Sequence, residues 1–124
     1  MLNQFSRTEL LLGKEAMERL ENSRVAVFGV GGVGGYVCEA LVRSGVGAFD
    51  LIDDDKVCLT NLNRQIIATR KTVGKYKADV MKERILEINP KVADVLFKAG
   101  MIESWGRGFD KIKEECEANN TPLP

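Results

Sequence analysis

Residues 24–34 read Arg-Val-Ala-Val-Phe-Gly-Val-Gly-Gly-Val-Gly, and the architecture of the chain follows from them. After Arg24, the four residues 25–28 form a continuous apolar run with β-branched side chains, which predicts that residues 24–28 are a strand buried on both faces of a parallel sheet. The glycines that follow match the GxGxxG pattern of a tight turn between a strand and a helix. These glycines are Gly29, Gly31, Gly32 and Gly34.

Two further elements follow the glycines. Small and apolar residues predict a helix over Gly34–Ser44, and Ala48–Ile52 reads as a second strand. A strand, a helix and a second strand within about 30 residues form a βαβ unit, whose crossover is right-handed in nearly all proteins. The predicted fold class is therefore α/β, with a Rossmann-like nucleotide-binding half-domain.

Helices are predicted on both sides of this unit. Glu9–Leu20 has the spacing of one amphipathic N-terminal helix. After Asp53-Asp54-Asp55, a polar loop or short helix is expected from Asn61 to Gln65. A long helix then runs from about Lys75 to Ile88, where Asn89-Pro90 stops it.

The sequence beyond Pro90 reads differently. Val92–Ala99 is helix-like, a glycine-punctuated turn covers Gly100–Gly108, and Phe109–Asn119 is amphipathic. No third buried strand is predicted, so we expect a truncated parallel sheet, the opening half of a doubly wound domain, followed by a helical C-terminal segment. The chain is accordingly divided into residues 1–90 and 91–124.

Composition excludes several classes of protein. The chain has 124 residues, with 18 basic and 18 acidic side chains and no histidine, so it is at most one domain and uses no histidine in catalysis or metal binding. The three cysteines form no CxxC pair, which favours a reducing cytoplasm, and Cys38 and Cys58 are expected to be small buried apolar residues. No segment is long and apolar enough for a membrane span or a signal peptide.

The glycine pattern indicates a nucleotide site. Glycines let the backbone approach a phosphate closely, and the following helix offers unpaired N–H groups and the positive end of its dipole. Asp53, at the end of the second strand, is placed to accept hydrogen bonds from ribose hydroxyls. The alternative is that the glycines only allow close packing of helix on strand. Asp53, Asp54 and Asp55 could suggest a metal site, but successive residues of a strand end face opposite ways, which favours one ligand and two solvated carboxylates.

A cluster of cations follows. Residues 64–84 contain seven basic side chains against two acidic ones, an excess of five. Arg64 and Lys77 are the candidates for neutralising phosphate charge during phosphoryl or nucleotidyl transfer. The alternative is a solvated basic face on an ordinary helix.

Several ordered motifs within residues 4–90 resemble a known superfamily. They are Gly29 to Gly35, Leu51-Ile-Asp53-Asp-Asp55, Asn61-Leu-Asn-Arg64-Gln65, Val73-Gly-Lys-Tyr-Lys77 and Ile88-Asn-Pro90. The superfamily is that of the ubiquitin-activating-enzyme-like proteins, which includes the molybdopterin- and thiamine-biosynthesis adenylyltransferases. Phe5-Ser-Arg7-Thr, Val57-Cys-Leu-Thr-Asn61 and Arg64-Gln-Ile make the chain most similar to the tRNA threonylcarbamoyladenosine dehydratases.

The resemblance implies ATP-dependent activation of a carboxylate as an acyl-adenylate. In the dehydratases this carboxylate belongs to a threonylcarbamoyl group on tRNA. By motif matching, the glycine loop holds ATP, Asp53 binds the ribose, and Asn61, Arg64 and Lys77 surround the phosphates. Arg7 matches an arginine that such enzymes insert from a partner subunit, which implies a homodimer.

The sequence also departs from the family. Family members carry an aspartate beyond their third strand that binds Mg²⁺, and neither Asp79 nor Asp94 matches that position. Ile67 stands where the dehydratases usually have histidine. The prediction is therefore an incomplete enzyme, a fragment of the adenylyltransferase class that binds ATP. The alternatives are a non-catalytic nucleotide-binding or dimerisation module and an NAD(P)-binding domain.

The segment from about Asn89 onward resembles a different protein. Ile102-Glu-Ser-Trp-Gly-Arg-Gly108 is similar to the C-terminal end of a gyrase/histidine-kinase-type ATPase module found in certain transcriptional regulators. We therefore hypothesise a fusion or recombination junction at Asn89-Pro90, with Trp105 packing against an exposed sheet or helix.

Overall fold

A computed structural model describes residues 2–92 and 94–97 of the chain. It contains helices α1 to α4, strands β1 to β3 and one 3₁₀ helix. In chain order the elements are α1 (Ser6–Leu12), α2 (Lys14–Glu21), β1 (Arg24–Phe28), α3 (Gly34–Ser44), β2 (Ala48–Ile52), the 3₁₀ helix (Leu59–Asn63), α4 (Lys77–Ile88) and β3 (Asp94–Phe97).

The three strands form one parallel sheet in the order β1-β2-β3. Helix α3 connects β1 to β2, and α4 lies between β2 and β3; the two helices contact each other and pack on the strands they connect. The α/β class, the Rossmann-like βαβ unit and the limits of its second strand and first helix are confirmed. Helix α4 begins two residues later than predicted and ends at Ile88, where Asn89 turns to an extended conformation.

The core lies between the sheet and these two helices. Parallel neighbours in the sheet, such as Val27 beside Leu51, direct their side chains to the same face. Alternate strand residues therefore meet one face of each helix, and burial of this apolar area drives the packing. The largest fully buried side chains include Phe49, Leu51, Val42, Met81 and Ile85.

Burial of β1 on both faces is a prediction that the structure corrects. Val25 and Val27 face the core, whereas Arg24, Ala26 and Phe28 are exposed, with Phe28 at 52%. The reason is topological, because α3 and α4 both cover the same face of the sheet. An apolar run shows that a strand can be buried on two sides, but other elements must supply the second layer.

The single N-terminal helix is also corrected. Gly13 divides it into α1 and α2, because its φ of +86° is a left-handed backbone conformation that no helical residue adopts. The N–H of Gly13 still donates to the carbonyl of Glu9, so α1 ends in a regular turn before the chain changes direction. The apolar residues keep their helical spacing on both sides of Gly13, so the spacing alone does not reveal that the helix is interrupted there.

The helix predicted over Val92–Ala99 is wrong for its described part, since β3 is a third parallel strand beside β2. A short apolar run such as Val95-Leu96-Phe97 fits a strand or a helix equally well by periodicity, and pairing with β2 decides the matter. The amphipathic segment 109–119, the Gly106-Arg107-Gly108 turn, Trp105 and Cys116 lie outside the described residues. The division at residue 90 and the fusion hypothesis therefore stay predictions.

Within the described ranges, no helix combines the length and the apolarity that crossing a bilayer requires.

Candidate functional site

The glycine loop, residues 29–34, joins β1 to α3 at the carboxyl edge of the sheet. Gly29 has a φ of +89°, and its N–H donates to the carbonyl of Ile52, 2.8 Å away. A Cβ on Gly34 would collide with the carbonyl oxygen of Gly29, so this position requires glycine. The loop thereby brings the N-terminus of α3, which no side chain caps, directly to the end of the first strand.

Asp53 anchors this loop to the end of β2. The carboxylate is buried, and its two oxygens accept hydrogen bonds from the N–H groups of Val30 (2.7 Å) and Asp55 (2.8 Å). A carboxylate offers about four acceptor positions, so acceptor capacity for a ribose hydroxyl remains. Asp54 and Asp55 are exposed, and oxygens of the three carboxylates lie within 4.8 Å of one another. Because Asp53 accepts hydrogen bonds from two backbone N–H groups, the main structural role of this carboxylate is to fix the glycine loop.

The residues after the 3₁₀ helix cross the glycine loop. A methyl group on Gly32 would lie 3.8 Å from Cγ of Arg64, and one on Gly35 would lie 3.1 Å from Ile66. Between them, Gln65 places its side-chain nitrogen 3.7 Å from the position of a Cβ on Gly31. Of these three positions, a Cβ would be crowded at Gly35, whereas at Gly31 and Gly32 it would make ordinary van der Waals contact with residues 64 and 65.

A cleft of about 520 Å³ opens beside the 3₁₀ helix. It contains Lys77, the first residue of α4, whose side chain is buried and forms no ion pair with a described residue. Asn61 is buried in the same cleft, and its Oδ1 accepts the N–H of Cys58 at 2.8 Å, which leaves its amide N–H groups as donors. The lining residues are Asp54, Asp55, Lys56, Cys58, Asn61, Tyr76 and Lys77.

Arg64 lies between the end of the 3₁₀ helix and the glycine loop. Its aliphatic stem lies along Gly32, and its guanidinium donates to the carbonyl of Thr60 (3.2 Å) and to Oδ1 of Asn63 (3.0 Å). Both acceptors are neutral, so in the described part of the chain the positive charge of Arg64 meets no carboxylate. The structure thus brings together the predicted residues Gly29, Gly31, Gly32, Gly34, Asp53, Asn61, Arg64 and Lys77 around one edge of the sheet.

Arg7 does not join this group. It lies exposed on α1, at the opposite edge of the sheet, where Gln4 donates to the carbonyl of Ile88 and Phe5 approaches Gly45. A second cleft of about 610 Å³ lies at that edge, between the N-terminal helices and Asn89–Lys91. It contains neither the glycine loop nor the two predicted phosphate-binding cations.

Helices α3 and α4, which carry the loop and Lys77, are joined by an ion-pair network that the sequence analysis missed. Glu39 accepts two hydrogen bonds from Arg84 (2.6 and 3.1 Å) and one from Arg43 (2.9 Å). The Arg84 hydrogen bond is the main reason that the pKa of Glu39 is lowered, although burial opposes the shift. The i,i+4 spacing of Glu39 and Arg43 was visible in the sequence, whereas Arg84 is 45 residues away.

The two described cysteines differ. Cys38 is fully buried as predicted, and burial raises the pKa of its thiol to about 12. Cys58 was also expected to be buried, but it is exposed at the cleft, because the 3₁₀ helix begins there and turns residues 58–60 to solvent. Cys58 is therefore the more accessible of the two thiols.

The chain is similar in sequence to a known family of proteins. The sequence profile of the ThiF family matches residues 5–114. The chain belongs to the ThiF family. Among ThiF relatives, the tRNA threonylcarbamoyladenosine dehydratase of Bacillus subtilis is 56% identical over 98 residues, covering 79% of this chain and 39% of the relative. The sulfur carrier protein adenylyltransferase of Thermus thermophilus is 39% identical over 93 residues, or 73% of this chain and 34% of the relative.

Solved ThiF-type structures agree. A crystal structure of the Escherichia coli tRNA N6-threonylcarbamoyladenosine dehydratase in complex with ATP superposes with a TM-score of 0.74 at 47% identity, covering 77% of this chain and 39% of that one. The predicted resemblance to the dehydratase branch is confirmed. The chain spans about two fifths of the length of these dehydratases.

Proposed function

We propose that this chain binds ATP at the glycine loop and takes part in the adenylation of a carboxylate. The observation that carries the proposal is Lys77, a largely buried residue whose ammonium forms no ion pair with a described residue and lies in the cleft beside the 3₁₀ helix. A phosphate bound in this cleft would supply a partner for the charge. The relative that superposes on this chain was solved with ATP, which supports the same ligand.

Each group has a part in this chemistry. The N–H groups at the start of α3 and the helix dipole stabilise phosphate charge, while Lys77, Asn61 and Arg64 donate to phosphate oxygens. Asp53 holds the loop and accepts a hydrogen bond from a ribose hydroxyl. A carboxylate oxygen attacks the α-phosphorus, the bond from that phosphorus to the bridging oxygen breaks, and pyrophosphate leaves with the electron pair. Donors fixed before the reaction stabilise the charge that builds up on these oxygens.

We propose that Mg²⁺ accompanies the nucleotide, held mainly by phosphate oxygens and water. We assign the described carboxylates no cage around it, because Asp53 anchors the loop and Asp54 and Asp55 lie exposed at the rim. No step of the reaction is therefore assigned to Mg²⁺.

We propose as substrate the carboxylate of a threonylcarbamoyl group on tRNA, as the names of the most similar relatives indicate. The cytoplasm, where ATP and tRNA meet, is the proposed location.

A homodimer is the proposed assembly. Arg7 lies at the edge opposite its own glycine loop, so it reaches such a loop only in a second copy. The neighbouring α1 side chains Leu10 and Leu11 are 86% and 87% exposed, which suits a surface that a partner covers.

The experiment is an ATP titration of the full chain, followed by ATP–pyrophosphate exchange with the acyl substrate present. Lys77→Ala and Arg64→Ala are expected to reduce exchange at least a hundredfold, while Lys71→Ala, an exposed lysine of the same basic segment, leaves it unchanged. ATP binding without exchange would indicate a non-catalytic nucleotide-binding module. Tighter binding of NADH than of ATP would refute the proposal.

Arg7 is tested by complementation. Arg7→Ala and Lys77→Ala are each expected to be inactive, and mixing them restores part of the exchange, because a mixed dimer contains one site with both residues intact. If mixing restores nothing while the chains do associate, Arg7 does not act across subunits.

A further inference from the structure

Gln65 is a buried polar residue beside the glycine loop. It is only 7% exposed, and its backbone is satisfied, since its N–H donates to Asn61 (2.9 Å) and its carbonyl accepts from Ala68 (3.0 Å). Its side chain differs, because Oε1 is enclosed and has no hydrogen-bond partner. Among the described residues, Oε1 of Gln65 is the one enclosed side-chain oxygen that has no hydrogen-bond partner.

An unpaired buried acceptor is costly, and native structures keep such groups where they serve a purpose. Nε2 of Gln65 lies toward Gly31, 3.7 Å from the position of a Cβ on that residue, and Oε1 is enclosed by protein. The side-chain N–H groups of Gln65 therefore face the glycine loop as donors.

We propose that Gln65 is a phosphate-positioning residue, whose side-chain N–H donates to a phosphate oxygen bound at the glycine loop. The inference rests on the proposed function, since ATP brings the phosphate. On either side of Gln65, Arg64 lies against Gly32 and Ile66 against Gly35, so this segment follows the glycine loop and the start of α3. Gln65 thus adds a neutral, fixed donor to the backbone N–H groups of the loop, and it needs no rearrangement when the nucleotide binds.

The test uses a variant that removes both the side-chain donor of Gln65 and its unpaired oxygen, so that a loss of ATP binding is separated from a loss of stability. Gln65→Met has nearly the same shape and removes both the donor and the buried acceptor. We expect its affinity for ATP to fall about tenfold, the usual effect of one hydrogen bond to a charged group. Adenosine, which has no phosphate, is expected to bind as it does to the wild type. The urea midpoint of the free variant is expected to stay unchanged or to rise, because no oxygen is left unpaired.

Two further variants complete the design. Gln65→Glu places a carboxylate toward the phosphate and is expected to weaken ATP binding beyond the loss in Gln65→Met. Gln4→Met is the control, because Gln4 is exposed at the opposite edge and donates to the carbonyl of Ile88 at 3.1 Å. Its ATP affinity is expected to equal that of the wild type.

Unchanged ATP affinity in Gln65→Met overturns the inference. So does a lower urea midpoint accompanied by equal weakening of ATP and adenosine, since that pattern marks a purely structural residue. Failure of the proposed function is distinguishable, because the wild-type chain would then show no ATP binding in the same titration.

Discussion

Replacement of Glu39 by glutamine is expected to destabilise the chain by a predictable amount. The carboxylate is 12% exposed and receives a short two-point contact from Arg84, which is 36% exposed, and a single contact from Arg43, which is 60% exposed. A partly buried charged contact of this kind contributes about 2 kcal/mol, and an exposed i,i+4 pair contributes about 0.3 kcal/mol. Glutamine keeps one neutral acceptor, so the expected net loss is about 1.5 kcal/mol.

Urea unfolding followed by far-ultraviolet circular dichroism measures this loss. With a denaturant dependence of about 1 kcal/mol per molar urea for a small domain, the midpoint is expected to fall by about 1.5 M at pH 7. Glu15→Gln is the matched control, because Glu15 pairs with Arg19 at the same i,i+4 spacing but is 82% exposed. Its midpoint is expected to match that of the wild type within error.

The difference in urea midpoint between the wild type and Glu39→Gln is also expected to depend on pH. The pKa of Glu39 is lowered below 4.5 in the folded chain, mainly by the hydrogen bond from Arg84, so its contribution is complete above about pH 4.5. It is lost as the pH falls through the folded pKa, and the wild type and Glu39→Gln should therefore converge in acid. A midpoint difference that persists unchanged in acid, or a control variant that loses as much, would refute the reasoning.

Two further predictions concern the cysteines and a buried glycine. In a Cys116→Ser background, Cys58 is expected to react at once with a thiol reagent, whereas Cys38 reacts only in denaturant. Because Cys58 lines the cleft, saturating ATP is expected to protect it. Equal reactivity of both thiols would contradict the described burial. Gly47→Ala is expected to cost at least 2 kcal/mol by thermal unfolding, because its Cβ would meet the backbone carbonyl of Glu21. Gly74 has a φ of +88° with open space around it, so Gly74→Ala is expected to cost about 1 kcal/mol of backbone strain. If Gly74→Ala lost more stability than Gly47→Ala, the packing around Gly47 would have adjusted to the added methyl group.

Local patterns predicted the part of the fold in which neighbouring residues cooperate. The first strand, the glycine loop, α3 and β2 follow one another within 29 residues, from Arg24 to Ile52, and each is recognisable from its own composition. The glycine pattern and Asp53 were sufficient to predict that the candidate nucleotide site lies where β1 and β2 end, because a βαβ unit has one common geometry.

Contacts between distant residues were beyond the reach of such patterns. The strand at Asp94–Phe97 exists because β2 offers it a hydrogen-bonding edge, and β1 is exposed on one face because both helices cover the other. The sequence singled out Lys77 for its charge but not for its burial, which arises where the start of α4 meets the residues around the 3₁₀ helix. Gln65 looked like any polar residue, and its burial beside the glycine loop is likewise a tertiary contact. The periodicity of a sequence shows which face of a helix or strand is apolar. Which other element covers that face is determined by tertiary packing, because it depends on contacts between residues far apart in the chain.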